Sequence, residues 1–171
     1  MNKGRFNAQA LLDEAAVFSC MAYVDLNPIR AKITEKLEES DNTSIKKRLE
    51  LIKEKDPIEV QAYLDASITG LSKPIKSKNL PMSLKDYIEL VEWTGKSIVY
   101  PNKSAMPSNI QSSLCCLNLQ QTHWLKQIEN YGNNYCYVVG PIELIKEKAK
   151  QLNQKWLKGI EAAKLLYEKP G

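Results

Sequence analysis

The stretch Leu11-Leu12-Asp13-Glu14-Ala15-Ala16-Val17-Phe18-Ser19-Cys20-Met21-Ala22-Tyr23-Val24-Asp25-Leu26-Asn27-Pro28 decides how this chain reads. From Ala15 to Leu26 apolar residues fall on nearly every side of a helical wheel. Such a helix needs partners on most of its faces, unlike an amphipathic surface helix. Asp13 and Glu14 place negative charge where the helix dipole is positive. Pro28 pushes Asn27 away from the α region, so the helix ends or kinks there. Residues 29–33 are expected to add one more turn, with Pro28 in its first position.

Beyond this helix the pattern stays helical. Residues 35–42 are polar and read as a linker. Thr43 or Ser44 can cap a helix over 45–55, whose Ile45, Leu49 and Ile52 form an amphipathic stripe. Pro57 opens a short helix with Val60, Tyr63, Leu64 and Ile68 on its buried face and Gly70 as its stop. Ser83, with Asp86 three residues on, starts another. Tyr87, Leu90, Val91 and Ile98 line its face, Trp93 lies near the rim, and Gly95 disturbs or ends it. Further helices are expected over 109–117, 120–131, 141–153 and 154–167, with 135–139 as a short extended bridge. The expected class is mainly α, an array of short helices.

Composition narrows the possibilities. The 171 residues carry 24 Lys and Arg against 20 Asp and Glu, a net charge of +4. That permits a nucleic-acid partner without arguing for one. The single histidine, His123, excludes a two-histidine metal centre within these residues. Cys20, Cys115, Cys116 and Cys136 lack a C-x-x-C spacing and read as buried, inert thiols of a cytoplasmic protein. No signal peptide is read at the start, and no apolar run approaches the ~18 residues a membrane span needs.

One segment carries chemistry. Tyr23 and Asn27 are four residues apart and share a helix face. A phenol is a poor nucleophile at its ordinary pKa of about 10, but a metal or base can activate it, and an amide one turn away can help hold that metal. Arg30 could face a phosphate. The plainer alternative stays open: a core tyrosine with a hydrogen-bonded hydroxyl, and an asparagine that merely shapes a turn.

The blocks Gly4-Arg5-Phe6, Gln9 to Ala16, and Met21-Ala22-Tyr23-Val24-Asp25-Leu26-Asn27-Pro28-Ile29-Arg30-Ala31 resemble the REP-associated tyrosine transposases, relatives of the small single-strand transposases of the HUH endonuclease superfamily. Leu80 to Tyr87, Val91 to Lys96, and Trp156-Leu157-Lys158-Gly159-Ile160 resemble the helical extension of a longer subgroup. The resemblance implies that Tyr23 is the nucleophile, forming a 5′-phosphotyrosine bond with single-stranded or hairpin DNA. It implies that Asn27 is one ligand of a Mg²⁺ or Mn²⁺ ion. The family's His-x-His pair supplies the other ligands, and it has no counterpart here. The chain therefore reads as a C-terminal portion. Residues 1–34 would be a remnant of an α+β catalytic domain carrying the tyrosine helix, and 35–171 the helical extension. Cleavage by this chain alone is not expected, because the main electrostatic stabilisation is missing, and no metal is expected to bind it alone. The alternative is a non-catalytic helical module that binds DNA or protein.

Smaller signals have plain readings as well. Lys73, Lys76 and Lys78 lie in a basic loop that could touch a phosphate backbone or simply be solvated. Lys158 and Lys164 with Trp156 could form a DNA-facing strip, although such runs are more often soluble helix faces. Trp93, Trp124 and Trp156 read as core anchors, and His123 as a surface or packed residue. A homodimer is a possible partner state, since the tyrosine helix must be covered by the C-terminal helices or by a second copy.

Overall fold

Asp13 opens the first helix. In the computed structural model, which describes residues 8–68, 82–101 and 105–167, its carboxylate accepts from the Ala16 N–H at 2.7 Å and caps α1 (Glu14–Asp25). The cap satisfies a backbone donor that the first helical turn leaves open. Ala15, Ala16, Phe18, Met21 and Ala22 of α1 are buried, while Val24 is half exposed. The C-terminal helices provide the partners this helix needs. Phe18 meets Tyr87 of α5 (Leu84–Val99) edge-on, with ring centroids 5.3 Å apart, and lies 6.1 Å from Trp124 of α7 (Gln121–Asn134).

The chain enters α1 through β1 (Ala10–Leu11), which pairs in parallel with β2 (Val138–Val139), Ala10 opposite Val138. The Ala10 N–H donates to the Tyr137 carbonyl at 2.8 Å and the Leu12 N–H to that of Val139 at 2.9 Å. The extended bridge expected near 135–139 is thus a real strand. The architecture is mainly α, with this small sheet tying the start of α1 to the segment after α7.

The remaining helices are α2 (Asn27–Arg30), α3 (Ser44–Glu54), α4 (Pro57–Asp65), α6 (Ser108–Cys116), α8 (Ile142–Gln151) and α9 (Ile160–Tyr167). Thr43 caps α3 and Ser83 caps α5, as their side chains suit. The largest cluster of buried apolar residues draws on α1, α2, α3, α5, α6, α7 and α9. A second, around Ile145 and Leu157, joins β2, α8 and α9.

Several expectations need correction. Residues 35–42 are not a bare linker: Leu37–Glu39 form a 3₁₀ turn, and Leu37 and Ser40 are buried. The helix opened by Pro57 ends at Asp65, so Ile68 is buried from outside it, next to an antiparallel bridge between Ser67 and Ser83. Gly95 does not end α5, which runs on to Val99. A Cβ there would stand 3.0 Å from Ile29 Cδ1 and 3.2 Å from Leu26 Cδ2, so the missing side chain lets α2 close onto α5. The last helix starts at Ile160 rather than 154, because Asn153 (φ 52°) and Gly159 (φ 122°) break the backbone on either side of the turn. Within that turn Trp156 is 67% exposed and anchors no core. Trp124 does anchor one: it is fully buried, and its Nε1–H donates to Thr94 Oγ1 at 2.9 Å. Cys115 and Cys116 are exposed, and Cys20 and Cys136 only partly buried. No helix among the described residues is long and apolar enough to cross a membrane.

Candidate functional site around Tyr23

α1 stops at Asp25, Leu26 bridges, and α2 restarts at Asn27 with Pro28 inside its first turn. A proline in the first turn of a helix costs no hydrogen bond, since its N–H would be unpaired there anyway. The restart keeps the chain turning, so Arg30 comes back over Tyr23. The Arg30 guanidinium carbon lies 4.3 Å from the Tyr23 ring centroid. Tyr131 of α7 stacks on the same ring, with centroids 4.6 Å apart and planes 26° apart. Two planar groups that close to one ring must take opposite faces, so Tyr23 is clamped between an aromatic ring and a cation.

Arg30 is itself held. Its Nη2–H donates to the Glu129 backbone carbonyl on α7 at 2.8 Å, and its buried Nε finds no partner among the described residues. The Tyr23 hydroxyl rests over Gly132, where a Cβ would come within 2.9 Å of it. It makes no hydrogen bond among the described residues. The phenol is therefore fixed by its ring, while its oxygen has no hydrogen-bond partner among the described residues.

Asn27 is exposed, and no side-chain hydrogen bond fixes its amide among the described residues. The structure thus unites Tyr23 and Arg30 in one contact, whereas Asn27 stands at the surface. The three lysines Lys73, Lys76 and Lys78 lie outside the described residues, as do Gly4-Arg5-Phe6. A hard divalent cation takes about six oxygens, carboxylates among them. The residues in question offer one amide oxygen and one phenol, with a guanidinium beside them. That donor set does not fit such a metal by itself.

Behind the site lies a line of tyrosines. Tyr131 and Tyr135 are buried with ring centroids 5.3 Å apart, and neither hydroxyl has a hydrogen-bond partner among the described residues. Burial first, and then the neighbouring Cys20 thiol, pushes the Tyr131 phenol far above its usual range. Burial pushes Tyr135 up to about 12, against an opposing pull from the Gln127 amide. Tyr167 is raised by burial and then by Asp13, to which it donates at 3.2 Å. Asp13 in turn is raised by its own burial.

The sequence reading passed over Asp25. Its carboxylate is 1% exposed and accepts from the Ser44 N–H (2.9 Å), the Ser44 hydroxyl (2.9 Å), the Ile45 N–H (3.1 Å) and the Tyr87 hydroxyl (2.6 Å). It thereby pins the end of α1 to the start of α3 and to α5. A signal was present: Asp25 is the one charge inside the apolar run that follows Glu14, and a buried charge requires partners. No family model, no curated protein and no solved structure matches this chain.

Proposed function

We propose that this chain is a transposase-like protein related to the REP-associated tyrosine enzymes, with Tyr23 as the nucleophile for cleavage and joining of single-stranded DNA. The observation that supports this reading most is the Tyr23 phenol: clamped by its ring, without a hydrogen bond at its oxygen among the described residues, and accompanied by a cation 4.3 Å from the ring centroid. Rigid placement of a nucleophile lowers the entropic part of the barrier. Arg30 adds positive charge where a DNA phosphate would arrive. In the reaction the Tyr23 oxygen forms a bond to phosphorus and gives up its proton. The 3′-hydroxyl of the cleaved strand leaves, and the 5′-phosphotyrosine stores the ester for a later 3′-hydroxyl to attack.

These residues hold one histidine, so the metal-binding pair of the family has to be supplied from beyond them. Residues 1–34 correspond in this reading to the end of the catalytic domain and 35–171 to its helical extension. The 171-residue chain by itself then binds DNA, in the cytoplasm, without cutting it. A second reading draws on the same clamp. The Tyr131 stack and the Arg30 tie to Glu129 join α1 and α2 to α7, as structural anchors in a non-catalytic binding module would.

The two readings separate on a denaturing gel. The chain, extended by whatever in-frame segment precedes it, is incubated with labelled single-stranded DNA from its own flanking sequence and Mn²⁺. A covalent adduct that vanishes in Tyr23→Phe supports the nucleophile. An adduct that survives Tyr23→Phe, or none from the extended chain, overturns it.

A further inference from the structure

Trp156 sits in the turn between α8 and α9 and is 67% exposed, although the backbone on both sides of it is fastened. On one side, the Gln154 N–H donates to the Ala149 carbonyl at 2.9 Å. On the other, Leu157 is buried, and Gly159 presses on the Tyr135 ring so closely that a Cβ would meet its Cδ1 at 2.6 Å. The indole is therefore held out in solvent by a rigid turn. Tyr137 is 57% exposed and equally fixed, since its carbonyl accepts the Ala10 N–H that joins β1 to β2.

These two rings line one groove of about 460 Å³ together with Lys155, Lys158, Leu157 and Cys136. No carboxylate lines it, and neither lysine is ion-paired among the described residues. Exposed aromatic rings flanked by unpaired cations are what an unpaired nucleic-acid strand requires: a face for a base to stack on and charges for the adjacent phosphates. A protein partner's apolar side chain would use the rings but leave two lysines without a role.

We propose that the groove of Tyr137, Lys155, Trp156 and Lys158 binds single-stranded nucleic acid by base stacking and phosphate contact. The site is separate from Tyr23 and stands whether or not Tyr23 is a nucleophile.

The test titrates the 171-residue chain with fluorescent oligothymidylate at several salt concentrations. Trp156→Ala is expected to weaken binding roughly 5- to 150-fold, the range for loss of one stacked base, while Trp156→Phe retains most of it. Lys155→Gln with Lys158→Gln should lower the salt slope by about 1.4. Ile58→Ala, an exposed residue of α4 that belongs to neither site, serves as the control and should leave the titration unchanged, while the covalent adduct alone reads Tyr23, so this proposal and the nucleophile reading can fail separately. Unchanged affinity in Trp156→Ala, with an unchanged circular dichroism spectrum, would overturn the proposal. So would a Trp156→Ala variant whose only change is a shift in sedimentation, which would assign the groove to contact between copies.

Discussion

The hydroxyl of Tyr87 donates to the Asp25 carboxylate at 2.6 Å, a contact between residues 62 apart in sequence. It fixes where α1 ends, two residues beyond Tyr23, and so sets the frame in which the site is built. Asp25→Ala leaves the Ser44 and Ile45 N–H groups and the Tyr87 hydroxyl without their acceptor, and should cost about 3 kcal/mol. Tyr87→Phe removes one hydrogen bond to a charged group and should cost about 2 kcal/mol. Urea midpoints of the two single variants and the double variant give the coupling, which should be favourable and above about 1 kcal/mol.

Arg30 binds through a flat face and a directed N–H at once. Arg30→Lys should therefore behave almost like Arg30→Met, each losing about 1–2 kcal/mol, because an ammonium cannot stack on Tyr23 while reaching Glu129. Thermal unfolding of the pair checks this. A lysine variant as stable as the native chain would mean that charge alone holds the contact.

Gly159 answers two demands, a φ of 122° and close contact with the Tyr135 ring. Gly159→Ala meets strain on both counts and should destabilise by about 3 kcal/mol. Gly95→Ala is the contrast. Its Cβ would press on the ends of flexible Ile29 and Leu26 side chains inside a helix that alanine favours, so the loss should be smaller.

Alkali should unfold the protein sharply. Tyr87, Tyr131, Tyr135 and Tyr167 all have folded-state pKa values raised above the ordinary value near 10, chiefly by burial. The folded state then holds protons that the unfolded state releases. Stability is fully present below about pH 10 and falls as pH rises beyond it. The share of the tyrosinate absorbance that comes from these four residues should lag behind a free-tyrosine titration and then rise in one cooperative step with unfolding. A smooth titration without unfolding would contradict the burial of these hydroxyls.

Much of the scaffold was legible in the sequence. The apolar run of α1, the Thr43 and Ser83 caps and the Pro57 start all act locally, and each element forms where its own residues favour it. The misses were tertiary. Gly95 looked like a disturbance or an end of its helix because its role, admitting Ile29 and Leu26, lies on another element. Trp156 looked like core because composition cannot show that Leu157 and Gly159 take the inward positions around it. In the site, the helical spacing paired Tyr23 with Asn27, but the restart at Pro28 made Arg30 the partner of Tyr23. Tyr131 could not be foreseen at all, since it reaches Tyr23 only through the packing of α7 on α1.

The most direct measurement is made on DNA. About 400 bases upstream of the Met1 codon, roughly the coding length of a domain of ~130 residues, are sequenced and translated in all forward frames. The transposase reading predicts strand-forming sequence with a His-x-His motif that runs in frame into Gly4-Arg5-Phe6, which would bring the missing metal ligands to Tyr23. No such motif in any frame would contradict it, and Tyr23 would then be an anchor between α1 and α7 rather than a nucleophile.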